Sequence, residues 1–320
     1  MKRLQRYLVI TTIVAVVIIG IRFTQQLEDW SKLLTYQPPS EIARLATTTT
    51  MTDTARRLFY VNQPTIETRK SSLNLCKSSE HTIVLGCYVV RKGIFLQAVP
   101  DPRLQGVMEV TAAHEMLHVA YQRMSLFEQS QINKQLQAVL KQLQNPRILK
   151  LVETYNDQDP RSVNNELHSI LGTEVRNLSP ELEAHYRTYF TDRSTIVALS
   201  ERYEGMFTTL RDKEKTLSQQ LLTRKSTLEQ LSAQVKQEAE TVESERSNLQ
   251  SSILSNPNSD YSFRVSSFND RVRNYNQLVS QLREQTDAYN QLVTEHNTLA
   301  LEEKSLVESL ENKSTQQVAR

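Results

Sequence analysis

The stretch Val110-Thr111-Ala112-Ala113-His114-Glu115-Met116-Leu117-His118-Val119-Ala120-Tyr121 decides how this chain is read. Residues four apart on a helix share a face, so the imidazoles of His114 and His118 can point at one tetrahedral ion while Glu115 reaches a water beside it. Val110, Ala113, Leu117 and Tyr121 lie along the same stripe, which turns both histidines towards the interior, where a metal site is made. Two His and one Glu fixed within five residues arise by chance in roughly one chain of this length per hundred. The helical context, the inward face and a strand just upstream add to that count, and one catalytic zinc ion is the expected cofactor.

Working outward, Thr82-Ile83-Val84-Leu85 continuing to Val89-Val90, and Ile94 to Val99, read as two strands joined by a turn at Arg91-Lys92-Gly93. Asp101-Pro102 stops the second strand and helps start a helix predicted over 104–124. More helices are predicted over 126–144, 146–155, 163–178 and 180–190, with shorter ones opening at Ser40 and running from Met51 to Phe59. After residue 195 a seven-residue repeat takes over. Leu221, Leu228, Val235, Val242 and Leu249 form one series, and Val265, Val272, Val279, Thr286, Val293, Ala300 and Val307 form the other, with Asn256-Pro257-Asn258-Ser259-Asp260 between them. Two matched arms around one turn predict an antiparallel coiled-coil hairpin. Charged seam positions Arg224, Glu238 and Glu245 leave open a lone hairpin with a wet stretch, or one that self-associates or takes a protein partner.

With these residues in view, the chain resembles the zincin metallopeptidases over about residues 90–190. The resemblance implies that Ile94 to Val99 is an edge strand that pairs with the substrate backbone. A metzincin extension would need Gly at 121 and His at 124, where this chain has Tyr121 and Met124. The chain therefore looks like a gluzincin, whose third ligand is a Glu on a later helix. Asn165-Glu166-Leu167-His168-Ser169 matches the Asn-Glu-x-x-Ser-Asp pattern of thermolysin-like enzymes, with Ile170 in place of the Asp. In those relatives the Asp orients a zinc-bound His, so another group must do so here. The metal ligands implied are His114, His118 and Glu166, with Glu174 and Glu153 as rivals for the third place, and His168 reads as structural. Glu115 is the implied general base and catalytic residue. In the relatives a His and a Tyr stabilise the oxyanion; His185 with Tyr186 or Tyr155 are the stand-ins.

The composition agrees with a folded chain that makes long helices. Of its 320 residues 38% are hydrophobic, and only 6 are Gly and 9 Pro. Thirty-eight Lys and Arg against 36 Asp and Glu leave a charge of +2, too balanced for a protein that neutralises nucleic-acid phosphates. Cys76 and Cys87 are the whole cysteine complement, which excludes thiolate-rich metal centres and predicts one disulfide. At the N-terminus Lys2, Arg3 and Arg6 precede an apolar run from Leu8 to Ile21, and no small-x-small cleavage site follows at Gly20-Ile21-Arg22. This predicts an uncleaved signal anchor over 1–23, a single-pass membrane protein with a cytoplasmic N-terminus, and a stalk over 24–40 that holds an exported domain off the membrane.

The expected fold class is α+β: a mainly helical zincin-like domain with a small sheet over 41–195, then the all-α hairpin over 196–320. Two functions are to be separated. In one, the chain is a membrane-anchored zinc metallopeptidase acting on protein or peptide substrates. In the other, the hairpin is a binding scaffold and the zinc domain is degenerate or structural. Glu115 beside both histidines favours the first, because a structural zinc site has no use for a general base.

Overall fold

The computed structural model describes residues 24, 26–67, 76 and 85–310. The anchor expected over 1–23 and most of the strand expected over 82–85 lie outside them. The architecture is mainly helical with one small sheet, in the coarse sense α+β. In chain order come α1 (Ser40–Thr48), α2 (Asp53–Val61), β1 (Thr65–Glu67), β2 (Gly86–Val89), β3 (Gly93–Gln97), α3 (Val107–Arg123), α4 (Leu126–Leu140), α5 (Pro146–Gln158), α6 (Val163–Glu174), α7 (Pro180–Tyr186), α8 (Arg193–Ser255) and α9 (Ser262–Leu310).

The chain divides into two compact units, one of residues 206–305 and the other of everything up to Gly205 together with 306 onward. At the centre of the latter is α3. Ala112, Ala113, Met116, Leu117, Val119 and Ala120 are all buried, a helix enclosed on every side rather than amphipathic. Around it pack α1, α2, α6, β2 and β3. Two close approaches depend on glycine. A Cβ on Gly86 would meet Thr111 Cγ2 at 2.6 Å, and one on Gly172 would meet Leu117 Cδ1 at 2.5 Å and Tyr186 Cε1 at 2.7 Å. Gly172 thus lets α6 lie directly against the helix that carries the two histidines. Gly172→Val is expected to cost about 2 kcal/mol through overpacking, read as a lowered midpoint in urea unfolding; an unchanged midpoint would refute the tight contact.

The sheet corrects one expectation. Its order is β1-β3-β2, with β1 parallel to β3 (Ile66 opposite Leu96) and β2 antiparallel to it (Cys87 opposite Phe95). The strand Gly93–Gln97 is therefore central, not an edge. The three-residue β1, just after Pro64, takes the side of β3 that the sequence pattern left open. Among the described residues β1 and β2 each pair with β3 alone, so β2 is one of two edge strands. The turn between β2 and β3 runs through Arg91 at φ 63° and Gly93 at φ 128°. Cys76 and Cys87 form the expected disulfide.

Two expectations about the N-terminal region change. Residues 26–35 are helical and not a free stalk: Asp29 is buried and ion-paired with Arg123 at the end of α3, and Tyr36 donates to the Pro64 carbonyl at 3.1 Å. The membrane anchor and single-pass localisation are also overturned as far as the described residues go, since none of their helices is long and apolar enough to cross a membrane. The apolar run on which both rested lies outside those residues, and neither is carried forward.

Within 206–305, α8 and α9 run antiparallel. Ser218 Oγ lies 3.4 Å from His296 Nε2, Arg224 donates to Gln285 at 3.0 Å, and Arg271 meets Glu238 at 3.3 Å and Glu245 at 3.0 Å. As one partner's number rises the other's falls. The charged seam positions are thus satisfied by the opposite arm.

Candidate metal centre

His114 and His118 stand one turn apart on α3, their rings edge to face with centroids 4.7 Å apart. The ligand atoms of His114, Glu115 and His118 all lie within 4.8 Å of one another. Glu166, in the first turn of α6, brings Oε2 to 3.7 Å from His114 Nε2 and 3.6 Å from His118 Nε2. Two ligand atoms about 2.0–2.1 Å from a tetrahedral ion sit roughly 3.3 Å apart, so the three atoms need only a small closure to share one. Burial opposes ionisation of Glu166, but the nearby His114 and His118 imidazoles and the Tyr155 hydroxyl outweigh it and hold the carboxyl below its ordinary range.

The missing Asp is replaced from nearby. His118 Nδ1 is 3.1 Å from Asn165 Oδ1 and 3.2 Å from Ser169 Oγ. A proton on Nδ1 donated to Asn165 leaves the Nε2 lone pair free on the Glu166 side, the tautomer a metal requires. Ile170 itself is fully buried in the core.

Glu115 is 5% exposed, and its Oε2 accepts no hydrogen bond among the described residues. Burial pushes its carboxyl up to about 7; the Glu166 charge adds to the rise, while the His118 charge and the Tyr88 backbone N–H oppose it. Tyr88 lies on β2, so the edge strand reaches the candidate base through its backbone, a contact with no side-chain signature in the sequence. It is also next in sequence to the disulfide-bonded Cys87.

The other expected residues fall into two groups. Tyr155 on α5 is close enough to Glu166 and Glu115 to feel their charges; burial, then the Glu166 and Glu115 charges, raise its phenol well above the ordinary value. Tyr186 is instead a core residue, fully buried, whose hydroxyl donates to the His168 carbonyl at 2.7 Å. This commitment withdraws it from the oxyanion role. His185 Nε2 lies 2.9 Å from His168 Nε2. The rivals for third ligand are engaged elsewhere: Glu174 pairs with Arg147, and the exposed Glu153 pairs with Lys150 at 2.9 Å.

The donor set suits zinc: two imidazoles and a carboxylate converge, and a buried carboxylate oxygen beside them has no other partner. In comparisons with known proteins, no family model, no curated protein and no solved structure matches this chain.

Proposed function

We propose that this chain is a zinc-dependent peptidase of the gluzincin kind. The observation that carries the reading is the approach of Glu166 Oε2 to both histidine Nε2 atoms beside the buried, free Glu115 Oε2. His114, His118 and Glu166 would hold the ion. When bound, zinc supplies Lewis acidity and an open coordination position at which water is acidified. Glu115 takes the water's proton at Oε2 and returns it to the leaving amine, a role suited to a carboxyl raised to about 7. Tyr155, near both Glu166 and Glu115, is the donor best placed to turn towards an oxyanion. The edge of β2 that is unpaired among the described residues offers backbone groups to an extended polypeptide.

The test is zinc analysis of the purified full chain together with digestion of a peptide library. One zinc per chain and cleavage are expected, with both lost in His118→Ala. Cleavage that survives in His118→Ala would sink the proposal. Zinc bound without any hydrolysis would point instead to a metal-stabilised scaffold.

A further inference from the structure

His168 is fully buried, yet no step of the proposed reaction uses it. It lies on α6, two residues after Glu166 and next to Ser169, whose hydroxyl touches His118. Its ring is packed among Tyr121 of α3, at 5.5 Å between centroids, Tyr186 at 5.3 Å and His185 at 5.1 Å. A buried imidazole needs polar partners, and His168 has one full hydrogen bond, its Nε2 to His185 Nε2 at 2.9 Å. Its Nδ1 has no hydrogen-bond partner among the described residues.

Two nitrogens at hydrogen-bond distance share one hydrogen, because two N–H groups facing each other would repel. The His168 and His185 Nε2 atoms at 2.9 Å are therefore joined by a single N–H···N bond.

We infer that His168 and His185 are positioning residues: their hydrogen-bonded imidazole pair, linking α6 to α7 beside Tyr121, holds the Glu166 helix in register with the two-histidine helix. The inference rests on the metal reading above. One anchor of α6 on α3 is the pair of contacts from Asn165 and Ser169 to His118. The second is His168, wedged against Tyr121 of α3 and oriented by His185. Without His185, the buried His168 Nε2 loses its partner, the ring is free to turn, and Glu166 loses its fixed distance to the histidines. Neither imidazole is assigned contact with substrate.

The experiment measures zinc affinity of the full chain by competition with a chromogenic chelator, and the visible spectrum of the cobalt-substituted protein. His185→Phe keeps ring packing and removes the hydrogen bond; His185→Gln places an amide, able to donate or accept, near the lost Nε2. His185→Phe is expected to weaken zinc about tenfold, the scale of losing support behind a ligand, and to alter the cobalt bands. His185→Gln is expected to return both to within about twofold of the parent. Equal weakening in both variants, or a His185→Phe protein with parental affinity and spectrum, would overturn the inference. Failure of the parent chain to bind zinc would instead remove the metal reading on which it rests. A measurement that needs no folded variant is the scalar coupling across the His168 Nε2–His185 Nε2 hydrogen bond in the parent protein, expected to be present. Its absence would equally refute the pair.

Discussion

Glu115→Gln is expected to leave zinc bound and the fold intact while lowering peptide hydrolysis by at least about a hundredfold, the usual scale for a lost general base. The geometry makes the substitution clean. Glu115 is not needed to complete the proposed ligand set of His114, His118 and Glu166, so the amide is expected to change the proton acceptor and not the metal. The amide has nearly the carboxylate's shape and removes a buried charge whose Oε2 has no hydrogen-bond partner. Thermal stability should therefore be preserved. Steady-state hydrolysis of a library-derived peptide and zinc analysis of the same preparation check both halves. An unchanged rate with zinc retained would show that the proton is taken elsewhere.

Glu166→Gln is expected to abolish both zinc binding and hydrolysis, whereas Glu174→Gln should leave zinc in place. A neutral amide oxygen is a far weaker ligand than a carboxylate, and with only two imidazoles left the ion is no longer held at equilibrium. Glu174 is engaged with Arg147, so its loss unpairs a half-buried guanidinium that still keeps Glu204 at 3.2 Å. The effect there is on stability, by about 1–3 kcal/mol for a broken charge-assisted hydrogen bond. Titrating each variant with zinc distinguishes the two cases, and the reverse pattern would move the third ligand to Glu174.

What could be read in the sequence, and what could not, divides along physical lines. The spacing of His114 and His118 is a property of one helix, so their approach follows from local geometry alone. The seam of the hairpin is likewise a local period, and the crossing contacts at Arg224 and Arg271 fall where that period places them. Strand β1 escaped notice because Thr65-Ile66-Glu67 is too short to show alternation, and missing it made β3 look like an edge. The Ile170 departure suggested an unsupported ligand. The support comes from Asn165 and Ser169, and whether either reaches His118 depends on how closely α6 meets α3. Tyr155 and Tyr186 are the same residue type on different helices. One lies near the Glu166 and Glu115 charges and the other gives its hydroxyl to a core carbonyl, a difference of tertiary packing that no spacing rule records.

The chain path of the larger unit carries a last consequence. Leu306 and Leu310, in the final turns of α9, are buried in it; the Leu310 carbonyl accepts from the buried Gln97 amide, and Ser309 donates to Asp101 at 3.1 Å. The hairpin is therefore an insertion within this unit and not an appendage after it. A chain cut at Gly205 keeps every residue of the candidate centre and yet lacks a plug of its own core. On the ribosome the same order holds: about a hundred residues must be made after Gly205 before that plug emerges. Closing so long an excursion adds little entropy beyond that of a shorter one, because the cost grows only with the logarithm of its length. Completion of the unit that holds the histidines thus waits on synthesis through Leu310, and a chain ended before it carries the motif in an unfinished core.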